Sequence, residues 1–163
     1  MKVLIISDSH GIRRTLREVF ARVGEIDMLI HLGDVCGDEL FIQESFQCPV
    51  HIIAGNNDHS LKLPKEEILE LEGKKILLTH GHQYYVNYDY NHLAEEAAAI
   101  GMDMVMFGHV HVPVLEENSG VLLVNPGSLA YPRQHGRRGS FMILDIDSEK
   151  NFHFSIDYLS EML

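Results

Sequence analysis

The chain has 163 residues and a formal net charge of -11 at pH 7. This length predicts one domain over residues 1–163, with a core that buries roughly two-thirds of the surface of the unfolded chain. The acidic balance argues against a stable complex with nucleic acid and against binding to anionic membranes. No apolar run approaches the ~20 residues that a transmembrane helix requires, so no membrane span is expected.

Cysteine usage predicts a reducing compartment. Cys36 and Cys48 are the only two cysteines in the chain, and they form no C-x-x-C pattern. No segment with the features of a secretory leader precedes Lys2. We therefore expect a cytoplasmic protein.

Strands and helices alternate at the start of the chain. A continuous apolar run over 2–7 predicts a strand, and apolar residues at helical spacing over 12–23 predict a helix that ends at Gly24. A second strand, a short helix and a third strand are expected over 28–32, 38–46 and 50–54. This β-α-β order favours a parallel sheet.

A hairpin is expected next, because the strand-like runs 66–71 and 74–79 flank the turn-forming pair Glu72-Gly73. Residues 89–100 form the last predicted helix, with apolar side chains on one side. Only strand-like runs follow, over 103–107, 112–116, 121–124, 140–146 and 151–158. A parallel first half and an antiparallel second half predict an α/β fold, in which two mixed sheets pack together with helices outside.

Short polar segments carry the residues that point to function. In chain order they are Asp8-Ser9-His10, Gly33-Asp34, Gly55-Asn56-Asn57-Asp58, Thr79-His80-Gly81-His82, Gly108-His109-Val110-His111 and Asn125-Pro126-Gly127-Ser128. The first four of them directly follow predicted strands. Ligand crevices of open α/β sheets lie outside the carboxyl ends of the strands, so these side chains are expected to converge on one site.

The residue types in these segments are those of a metal site. Carboxylate, amide and imidazole groups without a thiolate suit hard to borderline divalent ions such as Mn²⁺, Fe²⁺, Co²⁺ or Zn²⁺. The seven candidate ligands are Asp8, His10, Asp34, Asn56, His80, His109 and His111. Seven ligands are too many for one tetrahedral ion, and they suit two ions that share a bridging carboxylate at the ~3.5–4 Å separation of two-metal hydrolases.

The order of the segments resembles that of the calcineurin-like metallophosphoesterases, in particular the small YfcE-type phosphodiesterases of bacteria and archaea. The motif series D-x-H, G-D, G-N-x-D, H-G and G-H-x-H runs from Asp8 to His111. The N-P-G-S segment and the later pair Pro132-Arg133 match the small branch of that family. The resemblance implies a four-layer αββα sandwich of two mixed sheets flanked by helices.

The same resemblance implies a function and a ligand set. The expected activity is hydrolysis of phosphodiesters by attack of a hydroxide that bridges two divalent metal ions. Mn²⁺ is expected first, with Fe²⁺, Co²⁺, Ni²⁺ and Zn²⁺ as alternatives. Asp34 should bridge the ions. The first ion would be held by Asp8, His10 and His111. The second ion would be held by Asn56, His80 and His109.

The chain departs from this family at Asn57, where many relatives have a histidine that protonates the leaving group. The amide of Asn57 has no titratable proton, so another general acid is needed if there is one. Asp58, His59 and His82 are the candidates, and each has a structural role as its alternative. Arg133 is either a ligand of the substrate phosphate or part of a solvated loop.

Each predicted metal ligand could instead have a purely structural role. Asp8 and Asp34 follow strands and could cap the helices behind them, and Asn56 lies among turn-forming residues. A histidine such as His80, placed directly after an apolar strand, is hard to bury without a partner. The occurrence of all segments in one order favours ligands. His31 is expected to pack behind the Asp34 segment rather than to bind metal.

Two other functions remain open from the sequence. One is a phosphomonoesterase or nucleotidase on the same site, which assays with mono- and diesters would distinguish. The other is a non-catalytic scaffold like the retromer subunit that resembles this family but has lost ligand residues. The complete ligand set argues against the scaffold. A small phosphodiester is the expected partner, and exposed strands in the second half would allow a homo-oligomer such as a dimer or tetramer.

Overall fold

Two five-stranded sheets pack face to face with helices on their outer surfaces, in a computed structural model that describes residues 1–59 and 62–160. The strands are β1 Lys2–Ile6, β2 Met28–His31, β3 Val50–Ile52, β4 Glu66–Leu71, β5 Lys74–Thr79, β6 Met104–Met106, β7 Pro113–Asn118, β8 Val121–Pro126, β9 Ser140–Ile146 and β10 Phe152–Tyr158. The helices are α1 Arg13–Val23, α2 Glu39–Ser45 and α3 Asn91–Ala99, with a 3-10 turn over His82–Tyr84.

Both sheets are mixed. The first has the strand order β10-β9-β1-β2-β3, in which β1, β2 and β3 are parallel, β9 is antiparallel to β1, and β10 is antiparallel to β9. The second has the order β4-β5-β6-β8-β7, in which β5, β6 and β8 are parallel and β4 and β7 are antiparallel edges. The predicted four-layer α/β sandwich is confirmed.

The predicted division into a parallel first half and an antiparallel second half is wrong. Strands β5, β6 and β8 all lie in the later part of the chain and are parallel, and β9 and β10 return to the first sheet. Local apolar patterns predict that a segment is a strand, whereas its direction depends on the connection before it and on distant partners. The elements themselves agree with prediction, with ends that differ by at most two residues.

Strand β1 is buried on both faces, which is why its sequence is apolar throughout. Val3 and Ile5 lie in the apolar layer between the two sheets. Leu4 and Ile6 lie on the other side and pack with side chains of α1 and α2. Burial of each such side chain contributes about 1.5–3 kcal/mol.

The second sheet is covered by α3. Leu93, Ala94 and Ala97 of this helix are buried and pack with Leu77 and Val105 of the sheet. The small alanines allow the helix to approach the strands closely. Within residues 1–59 and 62–160, every helix is too short or too polar to cross a lipid bilayer.

The layer between the sheets should dominate the stability of the fold. Ile30 on β2 is fully buried in this layer, so Ile30→Ala should lower the free energy of unfolding by ~2–5 kcal/mol in urea denaturation. Ile68 on the edge strand β4 is 59% exposed, and Ile68→Ala should cost less than ~1 kcal/mol. Equal losses for the two variants would contradict this assignment of the core.

Candidate metal centre

Four side chains from three loops converge on one point. They are Asp8, His10, Asp34 and His111, whose ligand atoms all lie within 4.8 Å of one another. His111 Nε2 is 2.9 Å from Asp8 Oδ1. His10 Nε2 is 3.8 Å from the same oxygen and 3.6 Å from Asp34 Oδ2. Two imidazoles and two carboxylates therefore surround a space that a cation can occupy.

A second group of donors adjoins the first on the other side of Asp34. His80 Nε2 lies 3.6 Å from Asp34 Oδ2 and 3.1 Å from Asn56 Oδ1. The ring of His109 meets the ring of His80 edge to face, with centroids 5.2 Å apart. Asp34 Oδ2 is thus equally distant from one imidazole of each group. The structure brings together the seven side chains that the sequence singled out.

Two buried polar atoms test whether these residues fit a metal ion. Asp8 Oδ1 and His10 Nε2 are buried, and neither has a hydrogen-bond partner within residues 1–59 and 62–160. His111 Nε2 lies close to Asp8 Oδ1 but without hydrogen-bonding geometry. Buried unpaired polar atoms are costly, and a divalent cation would satisfy both. The oxygen and nitrogen donors also suit such an ion, so the residues fit it.

Hydrogen bonds fix which nitrogen each histidine turns toward the cluster. His80 Nδ1 donates to the carbonyl oxygen of Leu32 at 2.7 Å, and His111 Nδ1 donates to that of Tyr131 at 2.8 Å. In both rings the lone pair of Nε2 is therefore left for the cluster. His109 differs, because its Nε2 lone pair accepts a hydrogen bond from the side-chain amide of Asn87 at 2.8 Å, and this bond would have to break or reverse when His109 binds a metal ion.

The two carboxylates are oriented by neighbours as well. Asp8 Oδ2 accepts hydrogen bonds from the Ser7 hydroxyl at 2.6 Å and from the backbone N–H of His109 at 3.1 Å. Asn57 donates twice to Asp34, from its backbone N–H to Oδ1 at 2.8 Å and from its side-chain amide to Oδ2 at 2.7 Å. Asn57 therefore positions the carboxylate that lies between the two groups of donors.

Asp58 joins two of the loops that carry ligands. Its buried carboxylate accepts hydrogen bonds from the backbone N–H groups of Val35 at 3.2 Å, Cys36 at 2.8 Å and Gly55 at 2.8 Å. These bonds fasten the loop after β2 to the loop after β3. The carboxylate thus faces backbone amides, and its predicted role as a general acid stays a prediction.

Most of the predicted ligands have a backbone conformation that residues other than glycine rarely adopt. The φ angle is positive at Asp8 (52°), His10 (47°), Asp34 (54°), His109 (70°) and His111 (60°). Such residues carry strain of the order of 1–3 kcal/mol each and persist where the surrounding structure holds them. The loops are therefore shaped by the positions of the side chains rather than by local preference.

Two glycines of the motifs are required by close packing. A Cβ at Gly55 would collide with the backbone and carboxylate of Asp34, and a Cβ at Gly108 would collide with the Ser7 hydroxyl. The glycines of the G-N and G-H segments thus let neighbouring loops approach each other. Any side chain at either place would push the ligand loops apart.

The Asn125–Ser128 segment supports the centre from behind. Asn125 Nδ2 donates to the carbonyl oxygen of Gly108 at 2.7 Å, and Ser128 Oγ donates to that of Asp8 at 3.0 Å. Tyr131, a little further along, places its ring 4.9 Å from that of His10. The sequence predicted this segment as part of the site without a role for it, and the structure assigns it the support of two ligand loops.

The charge states of the cluster follow from burial and from neighbouring groups. Burial tends to raise the pKa of Asp8, but contacts with His111, His80 and Ser7 outweigh it and hold the pKa below its usual value. Burial lowers the pKa of His111, but the Asp8 carboxylate outweighs it and raises this pKa. Burial, with the neighbouring His80, lowers the pKa of His109 to about 4. Asp8 is therefore ionised and His109 neutral at neutral pH, as metal ligands must be.

The remaining predicted residues lie around the cluster. The ring of His82 is 5.5 Å from that of His80 and 6.1 Å from that of His109, and burial is the main cause that lowers its pKa. His59 is exposed. The backbone N–H of Arg133 donates to the carbonyl oxygen of His111 at 2.9 Å. Its side chain lines a groove of about 570 Å³ that also includes Asn87.

His31 packs behind the ligands. It is fully buried, and burial lowers its pKa to about 4. Its neutral ring accepts a hydrogen bond from the Gly33 backbone N–H at Nδ1 (3.3 Å) and donates one from Nε2 to the Ser9 hydroxyl (2.9 Å). It thereby links the loop after β1 to the loop after β2.

Three residues of the site carried no recognisable signal in the sequence. Ser7 and Tyr131 support ligands, and only their closeness to motif segments could have indicated it. Asn87 lies in an irregular stretch with no periodic pattern, so nothing in the sequence indicates that it bonds to His109.

Comparison with known proteins agrees with this geometry. A model of the calcineurin-like phosphoesterase superfamily domain matches residues 1–149. The chain belongs to the calcineurin-like phosphoesterase superfamily. The probable metallophosphoesterase YsnB of Bacillus subtilis is 35% identical to this chain over 150 residues, which cover 91% of this chain and 86% of that protein.

Solved structures of similar proteins have the same fold. A predicted phosphoesterase of Streptococcus pneumoniae has a TM-score of 0.78 at 30% identity, over 98% of this chain and 88% of that one. An archaeal phosphodiesterase has a TM-score of 0.71 at 25% identity, over 96% of this chain and 99% of that one. Vps29 of Entamoeba histolytica, complexed with Zn²⁺, has a TM-score of 0.75 at 26% identity, over 97% of this chain and 99% of that one.

The role of Asp58 in joining the loops can be tested by Asp58→Asn. The new amide would turn an NH₂ group toward at least one backbone N–H, so the free energy of unfolding should fall by ~1–3 kcal/mol. Affinity for Mn²⁺, measured by calorimetry, should fall about 10–100-fold, as for other residues that orient metal ligands.

Asp147→Asn is the matched control. Asp147 is exposed and also accepts backbone hydrogen bonds, from Glu149 and Asn151 at 2.9 Å each, but it lies outside the metal centre. Its replacement should leave the affinity for Mn²⁺ unchanged. A loss of affinity as large as that in Asp58→Asn would mean that the effect of Asp58 is not local.

Proposed function

We propose that this phosphoesterase is a phosphodiesterase that uses two divalent metal ions, with Mn²⁺ as the first expectation. The observation that carries the proposal is the position of Asp34 Oδ2, which lies 3.6 Å from His10 Nε2 in one group of donors and 3.6 Å from His80 Nε2 in the other. A carboxylate shared in this way is the arrangement of two-metal hydrolases. Similarity to an archaeal phosphodiesterase supports the diester as substrate.

The side chains divide into two ligand sets. Asp34 contributes to both sets. The first set is completed by Asp8, His10 and His111. The second set is completed by Asn56, His80 and His109. Ions held there would supply Lewis acidity, which polarises phosphoryl oxygens and makes water nucleophilic near neutral pH.

Other residues of the chain would orient the substrate and the ligands. Arg133 lines the same groove as Asn87, the partner of His109, so we infer that its guanidinium binds a substituent or a free oxygen of the phosphate. Asn57 holds Asp34 through two hydrogen bonds. Because its amide carries no titratable proton, we infer that it positions the bridging carboxylate and does not protonate the leaving group.

Metal dependence is the test of the proposal. Chelator treatment should abolish hydrolysis of bis(p-nitrophenyl) phosphate, and Mn²⁺ should restore it better than Mg²⁺, which has little affinity for imidazole. A matched assay with p-nitrophenyl phosphate separates diester from monoester activity. Full activity in excess chelator would overturn the metal mechanism, and preference for the monoester would overturn the assignment to phosphodiesters.

The absence of an acid at Asn57 predicts a steep dependence of rate on the leaving group. Aryl diesters should be cleaved readily, and alkyl or nucleoside diesters more slowly by ~10²–10⁴-fold beyond their intrinsic difference, which is the usual contribution of a general acid. Rates for a series of diesters, plotted on a logarithmic scale against the pKa of the leaving group, give the slope of this dependence. Asn57→His should flatten it by accelerating the poor leaving groups selectively.

Two further variants distinguish positioning from acid catalysis. Asn57→Ala removes the side-chain hydrogen bond to Asp34 and should slow all diesters by a similar factor. His82→Gln should leave the slope unchanged if His82 is not the acid. A shallow slope in the unmodified protein that steepens in His82→Gln would show that His82 donates the proton, contrary to the role inferred for Asn57.

A further inference from the structure

A second cavity lies behind the loop that supports the metal centre. It has a volume of about 440 Å³ and lies between the start of α1, residues 129–139 and residues 159–160. Its apolar wall is formed by Ile12, Leu129, Pro132 and Leu159. Cavities of this size hold small organic ligands.

The lining of this cavity is positively charged, although the chain as a whole is acidic. Arg14, Arg137 and Arg138 line it together with one carboxylate, Glu18. The lining residues among 1–59 and 62–160 therefore carry a net charge of +2, in a chain with a formal charge of -11. The Glu18 carboxylate accepts the backbone N–H of Ser160, another lining residue, at 2.8 Å. Arginines gathered around a cavity are the usual ligands of phosphate and carboxylate groups.

The arginines differ in how firmly they are held. Arg138 is fixed, because its Nε donates to the carbonyl oxygen of Leu159 at 2.9 Å and its guanidinium lies 5.7 Å from the ring centre of Tyr158. The side chain of Arg137 makes no hydrogen bond or ion pair with any residue in 1–59 or 62–160. One guanidinium thus forms a fixed wall, and none of the described residues holds the other away from a ligand.

The backbone at Arg137 is unusual for an arginine. Its φ angle is 44°, directly after Gly136 at 80°, in a turn closed by a hydrogen bond from the Arg137 N–H to the carbonyl oxygen of Gln134 at 3.0 Å. Glycine would adopt this conformation with less strain.

We propose that this cavity binds an organic phosphate of nucleotide size. The arginines would bind the dianionic phosphate, and a flat apolar group would lie against Ile12, Leu129, Pro132 and Leu159. The guanidinium fork of Arg137 matches two phosphate oxygens at once. Each half of such a ligand would contact only part of the lining, so either half alone should bind more weakly than the whole.

The cavity shares a wall with the metal centre. The backbone N–H groups of Leu129 and Ala130 donate to the carbonyl oxygens of Ser7 and Asp8, at 3.2 Å each. Leu129 and Ala130 also line the cavity. A bound ligand therefore touches the back of the loop whose front supports the metal ligands. Binding there requires none of the metal ligands, so this inference does not depend on the proposed phosphodiesterase activity.

Titration of ¹⁵N-labelled protein with AMP in the presence of Mg²⁺ tests the proposal, with ³¹P spectra to verify that AMP stays intact. Amide signals of Thr15, Gly136 and Gly139, around the cavity, should shift and saturate. Signals of Gly55 and Gly108 report binding at the metal centre. Arg137→Gln should weaken AMP binding at the cavity about tenfold or more, because it removes a charge-assisted pair of hydrogen bonds.

Arg17→Gln is the matched control, since Arg17 is exposed on α1, the helix whose start lines the cavity, and lies over the Phe41 ring, outside the cavity. It should change the affinity less than about twofold, a difference too small for a lost phosphate contact. Adenosine and inorganic phosphate, titrated separately, should each bind more weakly than AMP.

Several results would overturn the proposal. They are shifts confined to Gly55 and Gly108, equal affinities in the two arginine variants, no saturation at millimolar AMP, and inorganic phosphate that binds as tightly as AMP. By contrast, a protein that binds AMP in the cavity but hydrolyses no diester would refute the proposed function and leave this site intact.

Discussion

One of the buried hydrogen bonds that join the two sheets lies at the place where the ligands meet. His80 follows β5 of the second sheet, and its Nδ1 donates at 2.7 Å to the carbonyl oxygen of Leu32, which follows β2 of the first. The backbone N–H of Gly108 in turn donates to the carbonyl oxygen of His80 at 3.2 Å, which brings in the end of β6. The bond also fixes the tautomer of His80. Assembly of the metal centre therefore depends on correct packing of the sheets.

The centre is stabilised by residues that do not reach its middle. Asp58 fastens two ligand loops, Asn57 orients Asp34, and Asn125 holds the loop of Gly108. Such partners are needed because the ligands are buried, charged and close to one another. Without fixed hydrogen bonds, the carboxylates and imidazoles would turn away from the centre and form hydrogen bonds with other groups. Rigid loops therefore supply the preorganisation that binding of a small divalent ion requires.

Much of the centre could be predicted from the sequence, for a physical reason. Asp8, Asp34 and His80 each follow an apolar strand, and the ends of parallel strands lie at one edge of a sheet. The convergence of Asp8 and Asp34 follows from strand patterns, whereas His80 follows a strand of the second sheet and meets them through the packing of the two sheets. The division of strands between the sheets could not be predicted in this way, because pairing such as that of β1 with β9 joins distant segments. Local periodicity contains no information about that pairing.

Contacts made by irregular loops also could not be predicted from the sequence. The bond between Asn87 and His109, and the two bonds from Asn57 to Asp34, depend on the course of loops that have no repeating pattern. Asn57 could be recognised only as a departure from a family motif. Its contact with Asp34 gives that departure a physical role, because an amide can support the carboxylate where an acid is absent.

The left-handed backbone at Asp8, His10, Asp34, His109 and His111 has a consequence for the evolution of this chain. Glycine at any of these positions would relieve the local backbone strain, but it would also remove a donor from the centre together with the hydrogen bonds of that side chain. Relief of backbone strain and retention of the donors are therefore opposed at the same five positions.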